Sequence, residues 1–473
     1  MTTHTSPAPD LIRLDPKRWR ALALLSVAQF MLILDITVVT IALPSIGVDL
    51  GLGRATLTWV VTAYTLMFGG LLLLGGRAAD LFGARRLVMT GLTIFTASSL
   101  VAGLAVNAEL LIGGRIGQGI GAALLSPAAL SIVTTSFHGT ERNKALGVWG
   151  ALGGTGAAVG VLLGGLITAG PGWEWIFYIN VPVGLAVLAA LPSVVPTRRM
   201  GRAPRRIDLP GAVTVTVATA AAIFGLINAG DYGWSATSTL VPLALAAALY
   251  GGFVAIERAV RSPLVNLQIL TRRRVVAGAF LMLVATGLLI ASFFVGSFYL
   301  QHLRGYSALT TGLLFLPVAV GTIIGAHSAS RAIGRIDPRR VAGTALAIAA
   351  TGAAIPAIWS TSATVVLGIS IAAAGLGATF VTATTTALSD VQHHEAGVTS
   401  GVINTSHELG GAIGVAAVST IAAASFTAQG TVATAGFTNA FVFSAVAAAA
   451  AAVTALVAVP SGRISVSAHL GMH

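Results

Sequence analysis

Three ionisable side chains stand in apolar surroundings. Asp35 interrupts MLILDITVVTIALPSI (31–46), Arg115 lies in GGRIGQGIGAA (113–123), and Glu408 follows His407 in TSHELGGAIGVA (405–416). An ionised carboxylate at mid-membrane costs about 2.5–3.5 kcal/mol on insertion scales, so such a group must face water, find a partner or take up a proton. Reversible protonation is the chemistry these residues offer. Asp35 is the first candidate for proton coupling. Glu408 has three readings: a second proton site, a handle for a cationic substrate, or a neutral bystander.

The elements that would position them must be membrane spans. The 473-residue chain is 55% hydrophobic and only 9% charged, with a mean hydropathy of +0.89, far from the balance of a water-soluble domain. Without cysteine it can form neither disulfides nor thiolate metal sites. A net charge of +12 would suggest nucleic acid in a soluble protein. Here the arginines fall between hydrophobic runs, and no nucleic-acid partner is expected. Neither Lys17 nor Lys144, the two lysines, completes GxxxxGK[ST], so a P-loop ATPase is excluded. The sequence holds no HExxH, GxSxG or aspartate-rich metal pair, so no enzyme, metal or cofactor is expected.

About 20 apolar residues cross roughly 30 Å of hydrocarbon. Fourteen runs qualify: 20–44, 56–75, 86–105, 109–134, 144–168, 175–195, 208–228, 238–258, 275–301, 309–333, 339–360, 362–388, 397–424 and 438–459. The first is too long for a signal-peptide core and is read as a retained span. With the N-terminus inside, every lysine and arginine except Arg54, Arg115 and Arg304 lies on the cytoplasmic side, as the positive-inside rule requires. The expectation is an all-α, multi-pass protein of the cytoplasmic membrane with 14 transmembrane helices, both termini cytoplasmic, monomeric in the lipid bilayer.

A weak internal repeat divides the chain. GGRAADLFGARR (75–86) follows span two, and SASRAIGRIDPRR (328–340) follows span ten. Matching them gives an N-terminal six-helix bundle (1–196), an inserted two-helix linker with basic cytoplasmic loops (197–274), and a C-terminal six-helix bundle with a short tail (275–473). Parallel repeats with a site between them are a transporter architecture.

Depth arithmetic brings two charges to one level. Asp35 is 15 positions beyond Arg20, about 22 Å from the inner end and so about 8 Å below the outer edge. Arg115 is six positions beyond Glu109, where span four enters from outside, hence at a depth of about 9 Å. Glu408 is eleven positions into its span, about 16 Å deep, and the side chain of its neighbour His407 is expected to point about 100° away around the helix. Gly156, Gly160 and Gly164 form a smooth stripe on span five where another helix can approach. In the 75–86 loop, Gly76 and Gly83 permit a tight turn, and Asp80 can accept hydrogen bonds from the free N–H groups of a helix start.

These segments resemble the major facilitator superfamily, in particular its fourteen-helix drug:proton antiporter branch, over nearly the whole chain. LDITVVTIALP (34–44) is similar to the branch's first-helix signature, with Thr40 where asparagine is usual. The 75–88 segment is similar to the superfamily's loop between helices two and three, and 113–123 to its fourth-helix motif. WEWIFYINVPVG (173–184), with Glu174 in place of arginine, and FYLQHLRGYSALTTGLLFLP (298–317) also resemble branch signatures. Val161 replaces the usual proline of the fifth-helix motif, and His407–Glu408 stands where arginine-glutamine is usual.

The resemblance implies that helices one and four line a central cavity, which brings Arg115 beside Asp35, where it would favour the charged carboxylate. It implies that Asp80 latches an inner gate with Arg85 and Arg86, and that the Gly156–Gly160–Gly164 face lies between the halves. Phe30, Tyr64, Gln118, Trp149, Phe293, Phe294, Phe298 and Tyr299 are candidates for an apolar, aromatic substrate pocket. The expected function is proton-coupled export of amphipathic small molecules or antibiotics, cationic ones among them, by alternating access. Its partners are protons and a drug-like substrate. A passive facilitator or importer of small polar solutes remains the alternative.

Overall fold

The computed structural model describes residues 16–52, 54–137, 139–196, 208–260, 267–389, 391, 395–422 and 431–462. Much of the expected basic loops, Arg198, Arg199, Arg202, Arg205, Arg206 and Arg261, lies outside these residues, as do Arg13 and Arg463. The described chain is helical throughout: α1 (Arg18–Asp49), α2 (Arg54–Phe82), α3 (Ala84–Gly103), α4 (Ala108–Ser136), α5 (Gly139–Ala169), α6 (Trp175–Tyr178), α7 (Asn180–Val194), α8 (Leu209–Tyr232), α9 (Thr237–Ala259), α10 (Leu267–Thr271), α11 (Arg273–Phe298), α12 (Ala308–Leu314), α13 (Leu316–Ala332), α14 (Pro338–Ile358), α15 (Ser362–Leu388), α16 (Ala396–Ala422) and α17 (Thr431–Ala458). A π-helical turn, Tyr299–Leu303, extends α11.

Local chemistry sets the helix ends. Asn107 accepts from the Leu110 N–H at 2.9 Å and starts α4. Thr361 and Thr364 exchange capping bonds at the start of α15. Gly83 breaks α2 from α3 with φ +97°, a conformation that side chains with a Cβ rarely adopt.

Among the described residues, twelve helical segments are long and apolar enough to cross a membrane. The expected fourteen would add α5 and α16, which are helical but not among the twelve. Asn404, His407 and Glu408 dilute the apolar character of α16.

Packing follows a two-fold pattern. In the first half α2 and α3 pack on α4, and in the second α13 and α14 pack on α15. The seams between the halves match as well: α2 meets α16, and α13 meets α5. One apolar core is drawn from residues between Ala277 and Val459, and two others lie almost wholly between Ala21 and Val195. In lipid no hydrophobic force joins helices, so small residues must let backbones touch. Gly91 and Gly121 do this for α3 and α4: a Cβ on Gly121 would sit 2.6 Å from the Gly91 carbonyl oxygen.

The hairpin α8–α9 is placed asymmetrically. α8 packs on both α2 and α16, close enough that a Cβ on Gly69 of α2 would meet the Ile223 side chain of α8 at 2.3 Å. The membrane-crossing window of α9 is only 17% buried.

Candidate functional site

Asp35 is almost completely buried, at 2% exposure, and its hydrogen-bond partners among the described residues come from other helices of the first half. Arg115 of α4 donates from Nη1 to Oδ2. Gln118, one turn further along α4, donates from Nε2 to Oδ1 at 2.9 Å. Asn180, the first residue of α7, donates to the same Oδ1 at 3.0 Å. The depth match between Asp35 and Arg115 thus corresponds to direct contact, with 0% exposure of either side chain.

Arg115 is itself held in place. Its Nε donates to the Val60 carbonyl at 2.9 Å, its Nη1 also reaches Gln118 Oε1 at 2.9 Å, and its guanidinium lies 4.4 Å from the centre of the Tyr64 ring, a cation–π arrangement. Close packing makes this reach possible, because a Cβ on Gly119 would lie 2.6 Å from the Tyr64 carbonyl oxygen. Gln118 Nε2 continues the network to Ser99 Oγ at 2.8 Å, which donates to the Phe95 carbonyl. Among the described residues, Arg115 Nη2 and the Tyr64 hydroxyl have no hydrogen-bond partner. A buried pair held this way is costly to break, since removing one partner strands the other charge.

Glu408 is on α16 with an 11% exposed side chain, and His407 Nδ1 lies 3.2 Å from its Oε1. This corrects the expectation that the two side chains diverge: the rotamers fold the ring back over the carboxylate, although the Cα–Cβ bonds point apart. The Glu408 Cβ is 3.6 Å from where a Cβ on Gly69 would stand, so Glu408 faces the α2–α16 seam. It acts electrostatically on Tyr64.

At the other end of that seam the Asp80 carboxylate bridges the halves. Oδ1 accepts from the Gly397 N–H at 2.8 Å and Oδ2 from the Val398 N–H at 2.9 Å, at the start of α16. A carboxylate there satisfies free donors and meets the positive end of the helix dipole. Gly76 makes room, for its Cβ would lie 2.3 Å from the Gly397 carbonyl oxygen. Arg77, which was not among the expected latch residues, acts on the charge of Asp80. Arg86 is exposed, and Arg85 is half-buried at the start of α3.

The glycine stripe of α5 lies elsewhere than expected. Cβ atoms on Gly156, Gly160 and Gly164 would meet Ile33 at 2.5 Å, Thr37 at 2.7 Å, and Val38 and Ile41 at 3.2 Å, all on α1 within the same half. Gly147 and Gly150 carry the face of α5 toward the second half, against Ser330 and Val381. A 3.6-residue period fixes which residues share a face but not which neighbour that face meets.

The aromatic candidates do not converge. Phe30 is half-buried at the α1–α5 contact, and Trp149 belongs to the first-half core. Phe293 packs edge-on against Phe315 at 5.1 Å, and Phe294 lies 4.7 Å from Phe298. Tyr299 is buried and structural: its hydroxyl donates to the Ser360 carbonyl and accepts from Arg304 Nη2 at 2.7 Å. Tyr64 and Gln118 belong to the Asp35 cluster.

Sequence reasoning missed Asn180 and Ser99. Asn180 was visible as a polar residue heading an apolar run in the 173–184 segment. It also missed Arg142 of α5, which donates from Nη2 to the Leu388 carbonyl at the end of α15 at 2.6 Å. That arginine borders a cavity of about 70 Å³ shared with Thr134, Thr135 and Ala396.

The chain matches the model of the Major Facilitator Superfamily over residues 25–415. It is 39% identical over 421 residues to the puromycin resistance protein pur8 of Streptomyces alboniger, covering 86% of this chain and 82% of that one. To the cephamycin export protein CmcT of Amycolatopsis lactamdurans it is 37% identical over 411 residues, covering 85% and 84%. The fold is shared with the solved proton:xylose symporter XylE, at a TM-score of 0.66 and 12% identity over 95% of this chain and 97% of that one. Helical architecture, buried intramembrane charges and these matches lead to one conclusion: the chain belongs to the major facilitator superfamily, alongside relatives that carry names of antibiotic resistance and export.

Proposed function

We propose that this protein is a proton-coupled antiporter that exports amphipathic small molecules or antibiotics, cationic ones among them, by alternating access in the cytoplasmic membrane. In this reading fourteen helices cross the bilayer, with both termini cytoplasmic. The six-helix bundles within 1–196 and 275–473 rock about a monomer's central seam, and the linker 197–274 is an insertion. The observation that carries the reading is the Asp35–Arg115 pair, a titratable group buried at membrane depth and held by a fixed cation. The names of the relatives, which include puromycin, cephamycin, lincomycin and tetracenomycin C, support the substrate class.

A proton arriving at Asp35 neutralises the carboxylate and releases part of the hold on Arg115. Gln118 and Asn180 keep the side chain aimed while its charge changes, and Arg115 Nη2 and the Tyr64 hydroxyl offer free donors to a rearranged site. Each proton entering down 100 mV releases about 2.3 kcal/mol, which drives export when release inside is tied to reopening. Asp80 on the start of α16 closes the inner side, and Glu408, facing the same seam, is the second candidate for proton coupling.

The test is a susceptibility panel with those four antibiotics in an efflux-deficient host, paired with proton release from energised vesicles. The parent is expected to raise resistance to at least one compound and to exchange protons for it, and Asp35→Asn to lose both. An Asp35→Asn protein that folds and retains full proton-coupled export rejects the reading. Val161, in place of the proline usual in the fifth-helix motif, favours a passive facilitator. Flux that never runs uphill under an imposed pH gradient selects that alternative.

A further inference from the structure

Two carboxylates from opposite halves converge on the start of α16. Asp80 takes the N–H groups of Gly397 and Val398. Glu395, two residues before Gly397 and 7% exposed, belongs to the second half, and its charge acts on Asp80. Like charges in a partly buried site repel each other unless a cation compensates them. The helix dipole and Arg77 supply some of that compensation. The remainder has a clear source in Arg272, whose Nη1 and Nη2 grip Glu395 Oε2 and Oε1 at 2.7 and 3.0 Å.

Arg272 follows α10 and immediately precedes α11, so it sits where the inserted segment rejoins the second half. The same segment contributes α8, which packs on α2 and α16, the two helices that Asp80 joins. We infer that Arg272 is a positioning residue of the inner gate: by holding the charge of Glu395 it lets Asp80 dock on α16, and it thereby ties the inserted segment to closure of the transporter. The inference rests on the reading of Asp80 as the inner latch. The grip is bidentate and planar, which a lysine cannot reproduce.

The absence of native cysteine gives a clean test. Leu73 of α2 is partly buried, packs in one cluster with Val398 and lies against Gly401, so a Leu73→Cys reporter is partly shielded while the α2–α16 contact is closed. Its reaction with a water-soluble maleimide is followed on purified protein in detergent. Asp80→Asn is expected to speed labelling, and if it does not, the latch reading itself has failed. Given that control, Arg272→Gln is expected to label about tenfold faster than the parent, the factor that about 1.4 kcal/mol represents. Glu395→Gln alone should label at the parental rate, and Arg272→Gln/Glu395→Gln should return close to it. Where Arg272→Gln fails to fold, Arg272→Lys should label faster than the parent, with Glu395→Gln again reversing the effect. Parental labelling of the Arg272 variant overturns the inference. So does a Glu395→Gln single variant as fast as Arg272→Gln, which marks the pair as a simple clip between α11 and α16.

Discussion

Asn180, at the head of α7, donates a 3.0 Å hydrogen bond to Oδ1 of Asp35 on α1, 145 positions earlier in the chain. It makes a third helix part of the Asp35 site and holds Oδ1 while Arg115 grips Oδ2. Asn180→Leu removes the donor and keeps most of the volume. A hydrogen bond to a charged group contributes about 1.5–3 kcal/mol, so the variant should show a lower thermal midpoint and impaired export. Unchanged midpoint and export together would mean that Gln118 alone suffices to hold Oδ1.

Arg115 and Asp35 should be more damaging to lose singly than jointly. Arg115→Leu strands a buried carboxylate, a change of about 3–5 kcal/mol in such pairs, whereas replacing both partners by neutral groups is often close to neutral. Thermal unfolding followed by tryptophan fluorescence should therefore rank Arg115→Leu below Asp35→Asn/Arg115→Leu. Both should be inactive in proton exchange. The opposite stability ranking would show that the pair is not the dominant charge interaction at the site.

The two glycine faces of α5 should fail differently. Gly160→Val forces a side chain into Thr37, where a Cβ already lies 2.7 Å away, and overpacking of this kind costs about 1–3 kcal/mol. Its effect should appear as lost stability. Gly147→Val presses on Ser330 of the other half, 2.9 Å from its Cβ position, and should slow transport with a smaller loss of stability. Equal loss of stability in the two variants would refute this division of labour.

Acid stability has a local marker. Arg18 donates from Nε to Glu141 Oε2 at 3.0 Å, and this hydrogen bond, with the nearby charge, holds the Glu141 carboxyl below its ordinary value of 4.5. The contribution is present above that ordinary value and is lost as pH falls through the lowered one. The midpoint difference between the parent and Glu141→Gln should therefore be constant near neutrality and shrink below about pH 4. A difference that persists undiminished at pH 3 contradicts the assignment.

Much of the site was legible because membrane depth is a one-dimensional quantity. Counting residues put Asp35 and Arg115 at one level, and the free N–H groups of a helix start explained what Asp80 could bind. Lateral information is what a helical period lacks. The stripe of Gly156, Gly160 and Gly164 was correctly identified as a close-contact face, yet its neighbour is α1 and not the other half. Asn180 escaped notice because a lone amide has no charge to account for, and only the unfilled acceptor capacity of Asp35 asked for it. His407 and Glu408 meet through side-chain torsions, which neither spacing nor composition encodes.

The hairpin of α8 and α9 leaves the two flanks of the molecule unequal. One seam, between α2 and α16, is roofed by α8, while among the described residues neither α8 nor α9 packs extensively on its two-fold counterpart between α5 and α13. Lipid tails thus meet an added helical layer over one seam and the packed contact of α5 and α13 at the other. An evenly repeated body has acquired an uneven outline.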